Sequence, residues 1–399
     1  MLIRVRLLLL GIALLWLAPS AFGQAPEIGG LLPSGGLRGQ TTKVRIDGKN
    51  LTGAQLHLSG GGIVTKSLQV TPNEEQLTAE LAVESGARLG AHEVRITTPK
   101  GVSNGSRFWV DVVGNHVLEA PMQEGTPPLS LDSLVPTVIN GRIATRVGRD
   151  RFTFTASAGD IWTFDCFADR IRSRFDPVME LVDEAGVNVR LAQSAWESDP
   201  RFCHKFTKAG RYFLTIRDSE YNGGSNYTYR LLVGRLPFLT HFSPRGGQPG
   251  SVVDITLQGT NVTAQRASVA IPADAPNGTY WAEVALDMGK PALIPLIVGN
   301  EQVLNNGANR AVQRLPALPV AVDGVFKDAP SARFSFHGTA QMKYLFDLLG
   351  RRIGSRIDGE IRILNAEGKE IASNDDAPGL GKEARLEFTA PATADYTVE

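Results

Sequence analysis

The chain has 399 residues, 42% of them hydrophobic, and its 41 basic and 41 acidic side chains cancel. Such a length allows roughly two to four domains with cores of their own. The apolar content excludes disorder as the default state, and a near-neutral surface without a basic stripe argues against nucleic acid as a partner. Residues 1–23 have the layout of a secretory signal: Arg4 and Arg6, an apolar run from Leu7 to Ala18, and Ala21-Phe22-Gly23 as a small-x-small cleavage site before Gln24. The 12 apolar residues fall short of the roughly 20 that a spanning helix needs. Export with cleavage is therefore expected, to the medium, the periplasm or the cell surface, with no membrane span left afterwards.

Residues 24–114 open with the turn-rich run Pro33-Ser34-Gly35-Gly36-Leu37-Arg38-Gly39, and Lys43-Val44-Arg45-Ile46-Asp47 then alternates with period two, as a strand with one buried face does. Gly48-Lys49-Asn50-Leu51 turns the chain, and further short strands follow at 79–83, 92–97 and 108–113. Short strands at this spacing predict a sandwich. Residues 235–299 repeat the unit: Pro244-Arg245-Gly246-Gly247-Gln248-Pro249-Gly250 and Gly259-Thr260-Asn261-Val262 stand 211 positions after their counterparts. This copy is shortened, with 8 positions from Asn261 to Val269 against 31 from Asn50 to Leu81, so about one hairpin of chain is missing. The pair resembles the TIG, or IPT, family, whose members open with a proline, a Gly-Gly and a Gly before a strand and a G-x-N-L turn. That resemblance implies immunoglobulin-like sandwiches.

Residues 115–137, with three prolines between Pro121 and Pro128, read as a linker, and residues 300–319 occupy the same place later in the chain. Residues 138–234 carry the densest strand pattern, in Arg151-Phe152-Thr153-Phe154, in Trp162, Phe164 and Cys166, in Tyr212, Leu214 and Ile216, and in Tyr227, Tyr229, Leu231 and Val233. Residues 320–399 repeat it. Phe152 and Phe154 match Phe334 and Phe336, Phe164-Asp165 matches Phe346-Asp347, and Gly186 matches Gly368, each 182 positions on. A shared offset over so many positions marks a duplicated folding unit. The stretch Met342 to Leu349 passes for a helix by propensity, but its match to 160–167 predicts a strand. Glu399 falls where Ile216 or Arg217 stands in the first copy, so the last strand of the unit, 227–233, has no counterpart. The expectation is an open sheet edge in a fragment of a longer reading frame.

Ala158-Gly159-Asp160, Arg174-Phe175-Asp176-Pro177, Asp183-Glu184-Ala185-Gly186 and Ala209-Gly210-Arg211-Tyr212 resemble the bacterial pre-peptidase C-terminal (PPC) family, as do Asn365-Ala366-Glu367-Gly368, Ser373-Asn374-Asp375-Asp376 and Ala394-Asp395-Tyr396 in the second copy. The resemblance implies a jelly-roll-like sandwich of the kind found beside secreted peptidases and other exported enzymes, similar to collagen-binding modules. The expected fold is therefore all-β, with immunoglobulin-like (TIG) and jelly-roll-like (PPC) sandwiches alternating in tandem.

No pattern for catalysis emerges. His57, His92, His116, His204, His241 and His337 are scattered, Gly223-Gly224-Ser225-Asn226 lacks the Gly-x-Ser-x-Gly spacing, and His92-Glu93 is followed by Ile96 where a zinc helix needs its second His. Asp375 and Asp376 form an acidic loop of hard oxygen ligands, the chemistry that Ca²⁺ selects, and some modules similar to the family use calcium. The same residues also suit a solvated turn in which Asn and Asp cap their own backbone. Trp196 and Tyr221, in predicted loops, offer aromatic contact surface. Cys166 and Cys203 are either bridged across a bend or left free, with Cys166 as core filler, because on a regular sheet they leave opposite faces. The expected function is a non-catalytic extracellular accessory or binding region, its partner an extracellular polymer or an attached secreted enzyme. The alternative is the N-terminal part of a secreted peptidase or other hydrolase with its catalytic domain beyond Glu399.

Overall fold

The computed structural model describes residues 24–193, 199–262, 265–286, 290–306, 311–326, 330–353, 355, 357–380 and 382–399. The expected signal, residues 1–23, and the loop residue Trp196 lie outside the described residues. Apart from two 3-10 turns, Asp169–Ile171 and Arg351–Ile353, all described elements are strands, and they form sandwiches in tandem.

In the first sandwich a sheet ordered Glu27–Leu32, Thr41–Lys49, Gln76–Val83, Ile63–Val70 faces one ordered Gly35–Leu37, Ser106–Asp111, Gly90–Thr98, Gln55–Leu58. Alternation sends Val44, Ile46, Leu77, Leu81, Val94, Ile96 and Phe108 into one core. Its shorter copy has two three-stranded sheets, Phe238–Ser243, Val252–Thr260, Arg266–Ala270 and Gly246–Gly247, Lys290–Val298, Gly278–Leu286. Among the described residues it has no counterpart of the Gln55–Leu58 and Ile63–Val70 strands, which is where the sequence comparison places the missing hairpin. Asn50 (φ 56°) and Asn261 (φ 55°) close the same turn in both copies, in the left-handed region that asparagine tolerates.

The second sandwich has two five-stranded sheets. One runs Asn115–Val117, Thr137–Arg142, Thr228–Gly234, Ile161–Phe167, Arg201–Lys205, the other Leu129–Ser130, Arg149–Ala156, Gly210–Asp218, Pro177–Asp183, Asn188–Gln193. The stretch expected to be a linker, 115–137, thus supplies the first strand of each sheet, paired in parallel. An extended segment running along two sheet edges satisfies its own backbone groups and covers those edges. Between the sheets Phe154 stacks on Trp162 at 4.3 Å, and within one sheet Phe164 stacks on Phe202 of the neighbouring strand at 4.9 Å.

In the last sandwich one sheet keeps this order, with Gln313–Arg314, Phe334–Gly338, Ala394–Val398, Ile361–Leu364, Glu370–Asn374. The other is divided into two pairs, Gln302–Asn306 with Val320–Gly324 and Lys343–Asp347 with Arg385–Thr389. Lys343–Asp347 is a strand, as the repeat predicts. Register aligns the copies: Phe154 faces Tyr212 as Phe336 faces Tyr396, and Phe164 faces Phe202 as Phe346 faces Leu386. The constant offset of 182 therefore does not hold to the end of the unit. Glu387 takes the place of Cys203, 184 rather than 182 positions on, and Glu399 that of Thr215 rather than of Ile216 or Arg217, because the later strands lie beyond a short insertion.

Both cysteines are free, Cys166 buried and Cys203 partly exposed. Cys203 lies opposite Thr163, whose side chain leaves the face opposite to that of Cys166, three positions on.

Candidate binding site

Interlocked surfaces join the first two large units and the shortened copy. Arg230, only 1% exposed, pairs with Asp111 of the first sandwich, donates from Nη2 to Asn115 Oδ1 at 3.0 Å and from Nε to Asn140 Oδ1 at 3.1 Å. Burial pushes the Asp111 carboxyl up, opposed by the Arg230 charge. Beside it Trp109 meets Phe167 edge-on at 4.9 Å and Trp281 of the shortened copy at 4.8 Å. Gly90 lies under Trp281, where a Cβ would stand 2.1 Å from Cδ1. Buried charge pairs and edge-on aromatics hold such contacts in one geometry.

A cleft of about 720 Å³ lies between the first two sandwiches, its walls including Asp47, Gln76, Asn73, Arg142, Arg174 and Asn226. Thr41–Lys49 supplies Asp47 and Thr137–Arg142 supplies Arg142, and close approach is possible because Gly30 faces the Ser225 carbonyl, with room for no Cβ. Arg142 Nη1 donates to Asp47 Oδ2 at 2.8 Å, Gln76 Nε2 donates to Oδ1 at 2.9 Å, and Arg45 Nε lies 3.6 Å from Oδ1. Two guanidiniums therefore share one carboxylate. Burial, with Arg45 nearby, lowers the Arg142 pKa against the opposing pull of Asp47. Arg142 Nε and Arg45 Nε and Nη2 are buried with no protein acceptor among the described residues.

Asp375 and Asp376 sit exposed in the turn after Glu370–Asn374. The Asp376 amide donates to Asp375 Oδ1 at 2.9 Å, Asn374 Nδ2 to the Asp376 carbonyl at 3.3 Å, and the Arg385 amide to Asn374 Oδ1 at 2.9 Å. These bonds build the turn, and no group of three or more His, Cys, Asp or Glu near enough to share a metal occurs among the described residues. Tyr221 is 46% exposed, with the Arg217 guanidinium 4.4 Å from its ring centre. His92 lies against the Ser59 and Arg88 carbonyls, and His337 against Asp395, pairings that position no nucleophile.

One constellation escaped the sequence reading. Asp199 accepts from the backbone amides of Ala168, Asp169 and Arg170 and from Arg170 Nε at 2.7 Å, while Arg170 also pairs with Asp165. In the second copy Glu383 accepts from Gly350, Arg352 and Arg352 Nε, and Arg352 pairs with Asp347. The recurrence of Asp and Arg five positions apart in both copies was the available signal. These groups lock a 3-10 turn in each sandwich.

No protein-family model matches the chain, and a search of curated proteins finds no match. Among solved structures, a pre-peptidase C-terminal domain of a Bacillus anthracis collagenase aligns at 16% identity and TM-score 0.23, over 28% of this chain and 100% of that one. The secreted serine protease VesC of Vibrio cholerae aligns at 6% identity and TM-score 0.19, over 50% of this chain and 48% of its own, so the match spans about half of that protease. The Bacteroides ovatus protein SGBP-B of a mixed-linkage glucan utilization locus, solved with a heptasaccharide, aligns at 9% identity and TM-score 0.17, over 92% of this chain and 71% of its own. At these scores the likenesses carry no argument about function. No described helix is long and apolar enough to cross a membrane.

Proposed function

We propose that the chain is a non-catalytic extracellular binding region whose first two sandwiches hold a hydroxyl-rich or acidic polymer in the cleft between them. One observation carries this reading: the cleft wall brings the guanidiniums of Arg142 and Arg174 together with the side-chain amides of Asn73, Gln76 and Asn226. Arg forks suit carboxylates, and Asn73, Gln76 and Asn226 add amides able to bond hydroxyl groups. The signal-like layout of residues 1–23 supports export to the compartment where such polymers lie.

Affinity electrophoresis against neutral glucans, dextran and polygalacturonate tests the reading. Retardation by at least one polymer, lost in Arg142→Ala and in Arg174→Ala, is expected. Mobility unchanged across the panel, or retardation kept in both variants, contradicts it.

Calcium at Asp375 and Asp376 belongs to the same proposal, supported by two adjacent exposed carboxylates. Calcium should raise the thermal midpoint relative to chelator, and the Asp375→Ala, Asp376→Ala double variant should abolish the rise. Equal midpoints in the parent chain return the loop to a solvated turn.

A further inference from the structure

Arg149 of the strand Arg149–Ala156 and Arg217 of Gly210–Asp218 stand directly opposite one another. Both point away from the core, because their neighbours Asp150 and Ile216 are buried in it. Like charges opposed across two strands repel. Neither guanidinium is joined to a carboxylate among the described residues: Arg217 donates from Nη1 to the Asp218 carbonyl at 3.0 Å and lies over the Tyr221 ring, and Arg149 has no side-chain partner. The carboxylates close by in the chain are engaged. Asp218 is buried and accepts from the amides of Asp176, Glu220 and Asn222. Glu220 accepts from Asn222 Nδ2 at 3.3 Å, and Asp176 from the Ser219 hydroxyl at 2.6 Å.

Two braced loops, 143–148 and 219–227, place apolar surface beside these charges. The Ile143 amide donates to the Tyr227 carbonyl at 3.0 Å, Gly224 to Ile143 at 2.9 Å and Val147 to Tyr221 at 2.9 Å. Gly223 packs on Thr145, where a Cβ would stand 2.2 Å from the carbonyl oxygen. This bracing holds Val147 (φ 54°) and Tyr221 (φ 58°) in the left-handed region, which β-branched and aromatic residues rarely enter. Both side chains are exposed, Val147 to 69%. Strain of this kind gathers at ligand sites, where the surrounding structure fixes it. The first loop follows Arg142 and the second contains Asn226, two residues of the cleft wall. Val147 stands five positions after Arg142, so the chain holds the two within about 18 Å. One polymer is long enough to touch both places.

We propose that Arg149, Arg217, Tyr221 and Val147 form a second subsite, which takes an acidic sugar, a uronate residue of an extracellular polysaccharide. The two guanidiniums bind its carboxylate, while Tyr221 and Val147 lie against an apolar face of the sugar ring. A carboxylate between the arginines replaces their mutual repulsion with charge-assisted hydrogen bonds to both. That the ligand is an extracellular polymer rests on the reading above, whereas its acidity is argued from the patch itself.

The test titrates the whole chain with trigalacturonate by isothermal titration calorimetry, beside maltotriose as a neutral sugar and triglutamate as an acidic peptide. Saturable binding of trigalacturonate that weakens as salt is added is expected, well above that of the other two. Arg149→Gln and Arg217→Gln should each weaken it about tenfold, the scale of one charge-assisted hydrogen bond, and Tyr221→Ala should weaken it as well. Arg149→Gln removes a like-charge pair, so the thermal midpoint of its free chain should stay level or rise. A fall would make that arginine structural and overturn its assignment. No saturable binding of trigalacturonate overturns the inference and leaves the polymer reading to its own panel. Binding lost in Arg174→Ala but kept in Arg149→Gln also overturns it, assigning the sugar to the cleft. Triglutamate bound as tightly overturns it in favour of an acidic peptide.

Discussion

Asp150 lies buried beneath Tyr229, whose hydroxyl donates to it at 2.6 Å. Burial pushes the Asp150 carboxyl up to about 6, with the Tyr229 hydrogen bond and a backbone contact to Met122 pulling the other way. Because this value exceeds the unfolded one of about 3.9, the protonated carboxyl favours the fold. Its contribution is complete below about pH 4 and is lost as pH rises through about 6. Asp150→Asn should accordingly flatten the stability profile between those limits and raise stability at pH 7 by about 2–3 kcal/mol, measured by urea unfolding across pH. Asp199→Ala should act in the other direction. It strands three backbone amides and the Arg170 guanidinium, and the expected loss is about 3–5 kcal/mol by the same measurement. Half of this constellation was legible in the sequence. Asp165 and Arg170 repeat as Asp347 and Arg352 at one spacing, whereas Asp199 and Glu383 differ in type and lie 184 rather than 182 positions apart, so the match was hidden.

Strands that alternate over five or more residues were readable because a half-buried strand imposes period two on its own sequence. Lys343–Asp347 illustrates how far the repeat reaches, since its residues favour a helix and its partner in the first copy decides otherwise. Short edge strands were not readable. Leu129–Ser130 and Asn115–Val117 owe their conformation to pairing with Arg149–Ala156 and Thr137–Arg142, and two or three residues hold no period. The cleft was hidden for a related reason, because Asp47, Gln76, Arg142 and Asn226 meet only through the docking of two sandwiches. At that docked surface Gly90 (φ 85°) accommodates Trp281. Gly90→Ala adds a Cβ in a conformation disfavoured for L-residues and displaces the indole. A loss of about 1–3 kcal/mol is expected, with faster limited proteolysis between residues 235 and 299 as the readout.

Across the whole molecule, sandwiches follow one another in tandem, and the two large ones differ in how their strands are paired among the described residues. The copy in residues 138–234 is coupled to the first sandwich through Thr228–Gly234, since Arg230 on that strand reaches Asp111. The most direct measurement is hydrogen exchange of the whole chain, resolved by peptide, comparing equivalent strands in the two copies. Exchange reports local opening, which is easiest where backbone bonds and apolar contacts are few. The account predicts slow exchange in Thr137–Arg142 and Ile161–Phe167 and much faster exchange in Val320–Gly324 and Lys343–Asp347, with Phe334–Gly338 in the intact sheet between these extremes. Equal protection of the two sets of strands would contradict it.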